Sequence, residues 1–285
     1  MDNDHQSTSA TKKEQEKQYA SQFMSVQKYT GQGFSLPGGE ENDKIAEAHH
    51  DEVVKAGEQF FLKKYKTKVK VHNLVGNRAG VTVFVESVNE PHFYTYAIVP
   101  INEKKIEKNH VFSEDKQVED AIASGIYAMI YDKEFNNLDD YLKMVTKKYK
   151  ITGITKEAEA NVGGDGHRNP FYYMSIANEA FSINVVELYL KHPQWKKSEW
   201  KHALSNATAN VKLLLINLDL YMMASDQKPN QTAFREIVKK IEEAKDFPPG
   251  SYSVFLHNNL IEKDSGRGSE KDLLERSTPN KIIKE

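Results

Sequence analysis

The chain has 285 residues, with 39 Lys and Arg against 41 Asp and Glu, a formal net charge of −2 and a hydrophobic fraction of 39%. That length allows one large core or two modest ones, and the balanced charge lacks the basic surplus by which a nucleic-acid binder displaces counterions, so no nucleic-acid partner is expected. Cysteine is absent, which removes disulfides, thiolate nucleophiles and Cys-ligated metal sites together.

Residues 1–24 are polar, mixed in charge and poor in large apolar side chains. Such a segment buries too little surface to offset its ordering entropy and reads as a tether. It lacks the basic start and apolar run of a signal peptide. The ordered domain is expected over 25–262, as one unit or as two lobes meeting near 150–170, with a polar C-terminal tail over 263–285.

Gly31, Gly33, Pro37, Gly38 and Gly39 mark a turn-rich loop. A helix is predicted over about 43–65, capped by Asn42 or Asp43, on the stripe Ile45, Ala48, Val53, Ala56 and Phe60. Three strands follow, around Val69–Val75, Val81–Val85 and His92–Val99. The turns between them, Gly76 to Gly80 and Asn89 to Pro91, are short enough for an antiparallel meander. Helical spacing returns over 116–131 and 137–149. The loop Gly163-Gly164-Asp165-Gly166-His167-Arg168-Asn169-Pro170 then leads into a strand at Phe171–Ile176. Helices are predicted over 181–191 and 196–204, divided by Pro193. Leu214, Ile216, Leu218 and Leu220 alternate as in a buried strand. A last helix from Pro229-Asn230 to about Lys245 precedes a strand at Ser251–Leu256. The pattern is an α+β fold, with helices packed on a mainly antiparallel sheet and a helix-plus-meander unit in the N-terminal half. The longest apolar stretch, Val211 to Ala224, is broken by Lys212, Asn217 and Asp219, so no membrane span is expected.

No catalytic motif emerges. The 163–170 loop lacks the Gly-Lys-Ser/Thr ending of a phosphate cradle and the spacing of a dinucleotide fingerprint. His49-His50-Asp51-Glu52 offers no two histidines at helical ligand spacing. Adjacent carboxylates such as Asp139-Asp140 point apart on a helix. No metal or cofactor is implied, and a non-enzymatic module is preferred. The best polar candidates for a ligand site are Asp165, His167 and Arg168, with aromatic neighbours Tyr172, Tyr173 and Tyr94. The rival reading is a hydrolase, which requires His92, His110 or His167 to lie in a cleft within hydrogen-bond reach of a carboxylate.

Several segments carry a resemblance: Ser25-Val-Gln-Lys-Tyr-Thr-Gly-Gln-Gly-Phe, Phe60-Phe-Leu-Lys-Lys-Tyr-Lys-Thr, Val83-Phe-Val-Glu-Ser-Val-Asn-Glu-Pro-His-Phe-Tyr-Thr, Val118-Glu-Asp-Ala-Ile, Asn161-Val-Gly-Gly, Gly250-Ser-Tyr-Ser-Val and Thr278-Pro-Asn-Lys-Ile-Ile-Lys. In them the chain resembles a family of uncharacterised lipoproteins of Gram-positive bacteria, staphylococcal and bacillary, classed as a domain of unknown function. The resemblance implies export, removal of a signal peptide, and anchoring to the outer face of the cell membrane through a lipidated cysteine. No cysteine is present here to carry that lipid. An unknown extracellular ligand or protein would be the partner. The family brings no established catalytic or binding residues.

Overall fold

The computed structural model describes residues 21–164, 166–225 and 227–285. Residues 1–20 of the expected tether lie outside them. The expected boundary at 24/25 falls inside a strand, β1 (Phe23–Ser25), which pairs antiparallel with β11 (Leu260–Glu262).

The N-terminal unit is a meander in the order β2 (Val69–Asn77), β3 (Gly80–Ser87), β4 (Tyr94–Asn102) and β5 (Lys105–Ile106), as the short turns required. Val81, Val83 and Val85 share one face of β3, by the two-residue period of a strand, and all three are buried in the core. The opposite face buries Phe84 against Phe34 and Tyr96. The helix predicted over 43–65 is two helices, α1 (Glu40–Ala48) and α2 (His50–Tyr65), parted at His49. Helix α1 starts before Asp43 because that side chain accepts the N–H of Gly76 in β2 and leaves the cap position to Gly39.

Two long helices follow, α3 (Gln117–Ile130) and α4 (Asp132–Tyr149). None of the 14 residues of α3 is exposed. An apolar circumference of that kind requires neighbours on every side. Helix α3 has them, packing on β4, on β8 (Tyr172–Ile176), and on two short helices, α6 (Val185–Lys191) and α7 (Lys197–Ala203). The expected start of α6 at 181 moves to 185, because Phe181 and Ser182 pair with Ala209 and Thr208 and Asn184 caps the helix. A further short helix, α5 (Lys156–Val162), capped by Thr155, stands where no element was predicted.

The second sheet runs β12 (Leu274–Arg276), β10 (Gly250–His257), β9 (Leu214–Met222), β8, β7 (Arg168–Asn169). Outside that path, β13 (Ile282–Lys284) pairs with β10 and β6 (Ile151–Thr152) with β9. Leu214, Ile216, Leu218 and Leu220 are buried, in the alternation the sequence predicts. All pairings are antiparallel except β9 with β10, whose parallel register is reached through α8 (Gln231–Glu243). The segment read as a polar tail, 263–285, carries β12 and β13 on the edge of β10 and buries Ile282. One hydrophobic cluster runs through both sheets, from Val53 and Val83 through Ile126 to Leu218 and Val254.

Candidate functional site

A cleft of ≈ 1030 Å³ opens where the β3–β4 loop, the α3–α4 corner, the β7–β8 hairpin and the 193–197 turn meet. Its first wall begins at Glu90-Pro91, a cis peptide followed by His92. This loop lies directly on α3 at Gly125, where a Cβ would stand 2.8 Å from the His92 carbonyl and 3.1 Å from Pro91 Cβ. His92 is held on three sides. Its Nε2–H donates to Glu86 Oε1 at 2.7 Å, its backbone N–H donates to Glu90 Oε2 at 3.1 Å, and its carbonyl accepts from His167 Nδ1 at 3.0 Å. The other Glu86 oxygen accepts His72 Nε2–H at 2.7 Å, and Tyr94 donates its hydroxyl to Oε1 at 3.2 Å. Burial pushes the Glu86 carboxyl up, but the His92 and His72 hydrogen bonds outweigh it and hold the group below its ordinary value.

His167 forms the inner wall. A carbonyl can only accept, so Nδ1 carries the proton in the bond to His92 and Nε2 is left as an acceptor. Burial lowers the His167 pKa to about 4, so the ring is neutral at physiological pH. No hydrogen-bond partner meets Nε2 among the described residues. The His92 and His167 rings meet edge to face at 5.6 Å.

Asp139, on α4, lies opposite. It accepts Asn169 Nδ2–H at 3.0 Å and the Tyr172 hydroxyl, and burial raises its carboxyl despite both bonds. The Tyr172 ring stacks on Phe135 at 5.8 Å. At the mouth, Asp132 pairs with Lys197. Trp195 lies parallel to His192 at 4.2 Å and T-shaped to the fully buried Trp200 at 5.2 Å.

Of the residues singled out in the sequence, His167, Arg168 and Tyr172 line this cleft. The Arg168 guanidinium lies against Gly163 and over the Tyr173 ring, 5.9 Å from its centroid. Tyr94 and Tyr173 are not lining residues: Tyr94 is buried with its hydroxyl on Glu86, and its backbone forms a bridge with Gly166. Asp165 lies outside the described residues. His110, the third histidine considered, is exposed beside Glu107. Sequence reasoning set Asp139 aside as one of two neighbouring carboxylates; the pair does point apart, Asp139 inward and Asp140 outward to Lys143. Trp195 was missed, and its place after Pro193 between two helices was the available signal.

Two further buried ionisable sites lie outside the cleft. Glu159, on α5, is only 4% exposed, and burial raises its carboxyl to about 7 against the opposing pull of Arg168 and His92. On β9 and β10, Asp219 accepts His257 Nε2–H at 2.8 Å and the Tyr221 hydroxyl at 3.0 Å, while His257 Nδ1–H donates to the Ser269 carbonyl at 3.0 Å. Burial alone would lower His257; Asp219 overcomes it and raises the group. Among the described residues, no group of three His, Asp or Glu is arranged to hold a metal ion.

A family model described as a protein of unknown function (DUF1672) matches residues 16–284. No curated protein matches the chain. The crystal structure of a DUF1672 family protein from Staphylococcus aureus subsp. aureus Mu50 superposes with a TM-score of 0.72 at 22% identity, over 93% of this chain and 98% of its own. That likeness extends to the fold alone. A DUF5037 family protein from Ruminococcus gnavus ATCC 29149 aligns at a TM-score of only 0.30 and 11% identity, over 77% of this chain and 83% of its own, too low to indicate a shared fold.

Proposed function

The chain belongs to the DUF1672 family of proteins of unknown function, and on that premise we propose that it is a non-enzymatic binding module, lipid-anchored at the outer face of the cell membrane, whose ligand enters the cleft between His92, His167, Asp139 and Trp195. The observation that carries this reading is His167 Nε2, which meets no hydrogen-bond partner among the described residues, on a wall otherwise tied up by internal hydrogen bonds. A concave site with a few convergent polar groups on rigid elements is the form a ligand site takes. Two hydroxyls near this wall are committed to structure: Ser87 donates to the Pro91 carbonyl at 2.9 Å and Ser124 to the Asp120 carbonyl at 2.8 Å. Neither is placed as a nucleophile.

The test is a thermal-shift screen of small polar compounds against the wild type and Asn136→Trp. Asn136 is an exposed α4 residue on the cleft, and an indole there fills the site without entering the core. Compounds that stabilise the wild type but not the variant support the cleft. Hits indifferent to the variant place binding elsewhere. For the anchor, the native protein should fractionate with membranes and be cut by protease added to intact cells; recovery in the cytosol refutes it. A hydrolase is the second reading, favoured by one observation: His92 lines the cleft and donates to Glu86 at 2.7 Å, the pairing that orients a general base. Ester or amide hydrolysis lost in His92→Gln would establish it.

A further inference from the structure

We propose that the occupant of the cleft is an uncharged saccharide, with one sugar ring laid against Trp195 and its hydroxyls donated to His167 Nε2 and to the Asp139 carboxylate. The assignment rests on reading the cleft as a binding site and goes further by fixing the ligand's chemistry.

Charge comes first. A site for phosphate or a carboxylate keeps cations free to meet it. Here two of the donors around the cleft are already paired. Lys197 is paired with Asp132, and the His92 Nε2–H is given to Glu86. The Arg168 guanidinium lies over Tyr173, which is not on the cleft, with its Nε buried and without a hydrogen-bond partner. His167 is neutral at physiological pH. Lys66 and Lys196 stand exposed at the rim. Taking a charged ligand past the rim to the wall of His167 and Asp139 would require desolvating its charge against a neutral ring and a carboxyl group, which is costly.

The available atoms narrow the choice further. The inner wall offers acceptors: His167 Nε2 and the Asp139 carboxylate, which already holds two donors but has lone pairs remaining. The complementary ligand brings hydrogen-bond donors without charge, and hydroxyl groups supply them. Trp195 adds a flat apolar surface. His192 stacks on it at 4.2 Å with the planes parallel, Trp200 packs T-shaped to it at 5.2 Å, and the part of Trp195 left open lines the cleft. A pyranose combines these features in one ring, a C–H face that stacks on an indole and an equatorial edge of hydroxyls. At ≈ 1030 Å³ the cleft has room for more than one such ring.

The experiment is a titration of the full chain with cellotetraose and with fully N-acetylated chitotetraose, followed by tryptophan fluorescence. The chain has two tryptophans; Trp200 is fully buried and gives a constant background, so the change reports Trp195. Saturation with Kd below about 1 mM is expected for at least one of them. Trp195→Ala, read by calorimetry because the reporter is then gone, and Asn136→Trp should each weaken it by about tenfold or more. Circular dichroism verifies that each variant is folded. Saturable binding that survives both substitutions overturns the proposal. So does the absence of any response to both sugars up to about 10 mM. Inorganic phosphate and glucuronate are titrated alongside. If either binds and Asn136→Trp abolishes it while the neutral sugars are inert, the saccharide assignment falls and the cleft remains a binding site. If nothing binds and the thermal-shift screen is also blank, both readings fall.

Discussion

Glu159 carries its carboxyl into a space where the charged form is poorly solvated. Its pKa in the folded chain is about 7, above the ordinary carboxylate value. The folded state therefore binds its proton more tightly than the unfolded state. The resulting stabilisation is complete below the unfolded pKa, near 4.5, and is lost as pH rises through about 7. Glu159→Gln resembles the protonated acid at every pH. Urea unfolding should find it about 1–3 kcal/mol more stable than wild type at about pH 8, and indistinguishable at about pH 4. His257 is also raised, by Asp219. Its contribution is full below the unfolded histidine value of about 6.5 and disappears as pH rises through the folded value. Asp219→Asn should therefore lose about 1–2 kcal/mol at about pH 5.5 and less as the medium becomes alkaline. A difference that grows with pH would contradict the assignment. None of these partners is adjacent in sequence: His257 lies on the strand beside Asp219, and Arg168 reaches Glu159 from the β7–β8 hairpin. Residue types were legible there, but pairings were not, because they depend on sheet register.

Elements with a complete pattern of their own were read correctly from sequence. β3 and β9 alternate, and α3 and α8 carry helical stripes long enough to stand out. The failures are short pieces whose structure is decided by what they dock on. Helix α5 has 7 residues, too few for a periodicity to show. The C-terminal segment looks like a tail because β12 and β13 have only 3 residues each, and their order comes from the open edge of β10. Two features fix β13. Ile282 is 5% exposed, and Lys284 donates to the Ile241 carbonyl at 3.0 Å and to that of Ala244, satisfying carbonyls at the end of α8. Ile282→Ala should cost about 2–4 kcal/mol in chemical denaturation. A loose tail would show no change. The candidate site was half legible for the same reason. The 163–170 loop stood out by its composition, whereas Trp195 and Asp139 join it only through the packing of α4 and the 193–197 turn.

The two sheets behave as one body because they are joined at few but central places. Gly166 is the clearest of them. Its N–H and carbonyl both bond the backbone of Tyr94 at the start of β4, at 3.0 and 2.8 Å, while the chain continues directly into β7 of the other sheet. Its φ is +102°, and a Cβ there would stand 2.6 Å from Ser124 Oγ and 2.7 Å from the Met174 carbonyl. Gly166→Ala combines an unfavourable backbone conformation with a collision against α3 and β8. It should lower stability by about 2–4 kcal/mol and, by disturbing His167, weaken any ligand held in the cleft. Between the sheets lies α3, without an exposed residue along its length. Its amide protons can reach water only when both layers separate, so at alkaline pH, where intrinsic exchange outpaces reclosing, hydrogen exchange there should proceed at the rate set by unfolding of the entire chain. The helix is thus a built-in clock for the lifetime of the native state, and deuterium uptake in α3 would report how long the protein survives between complete openings.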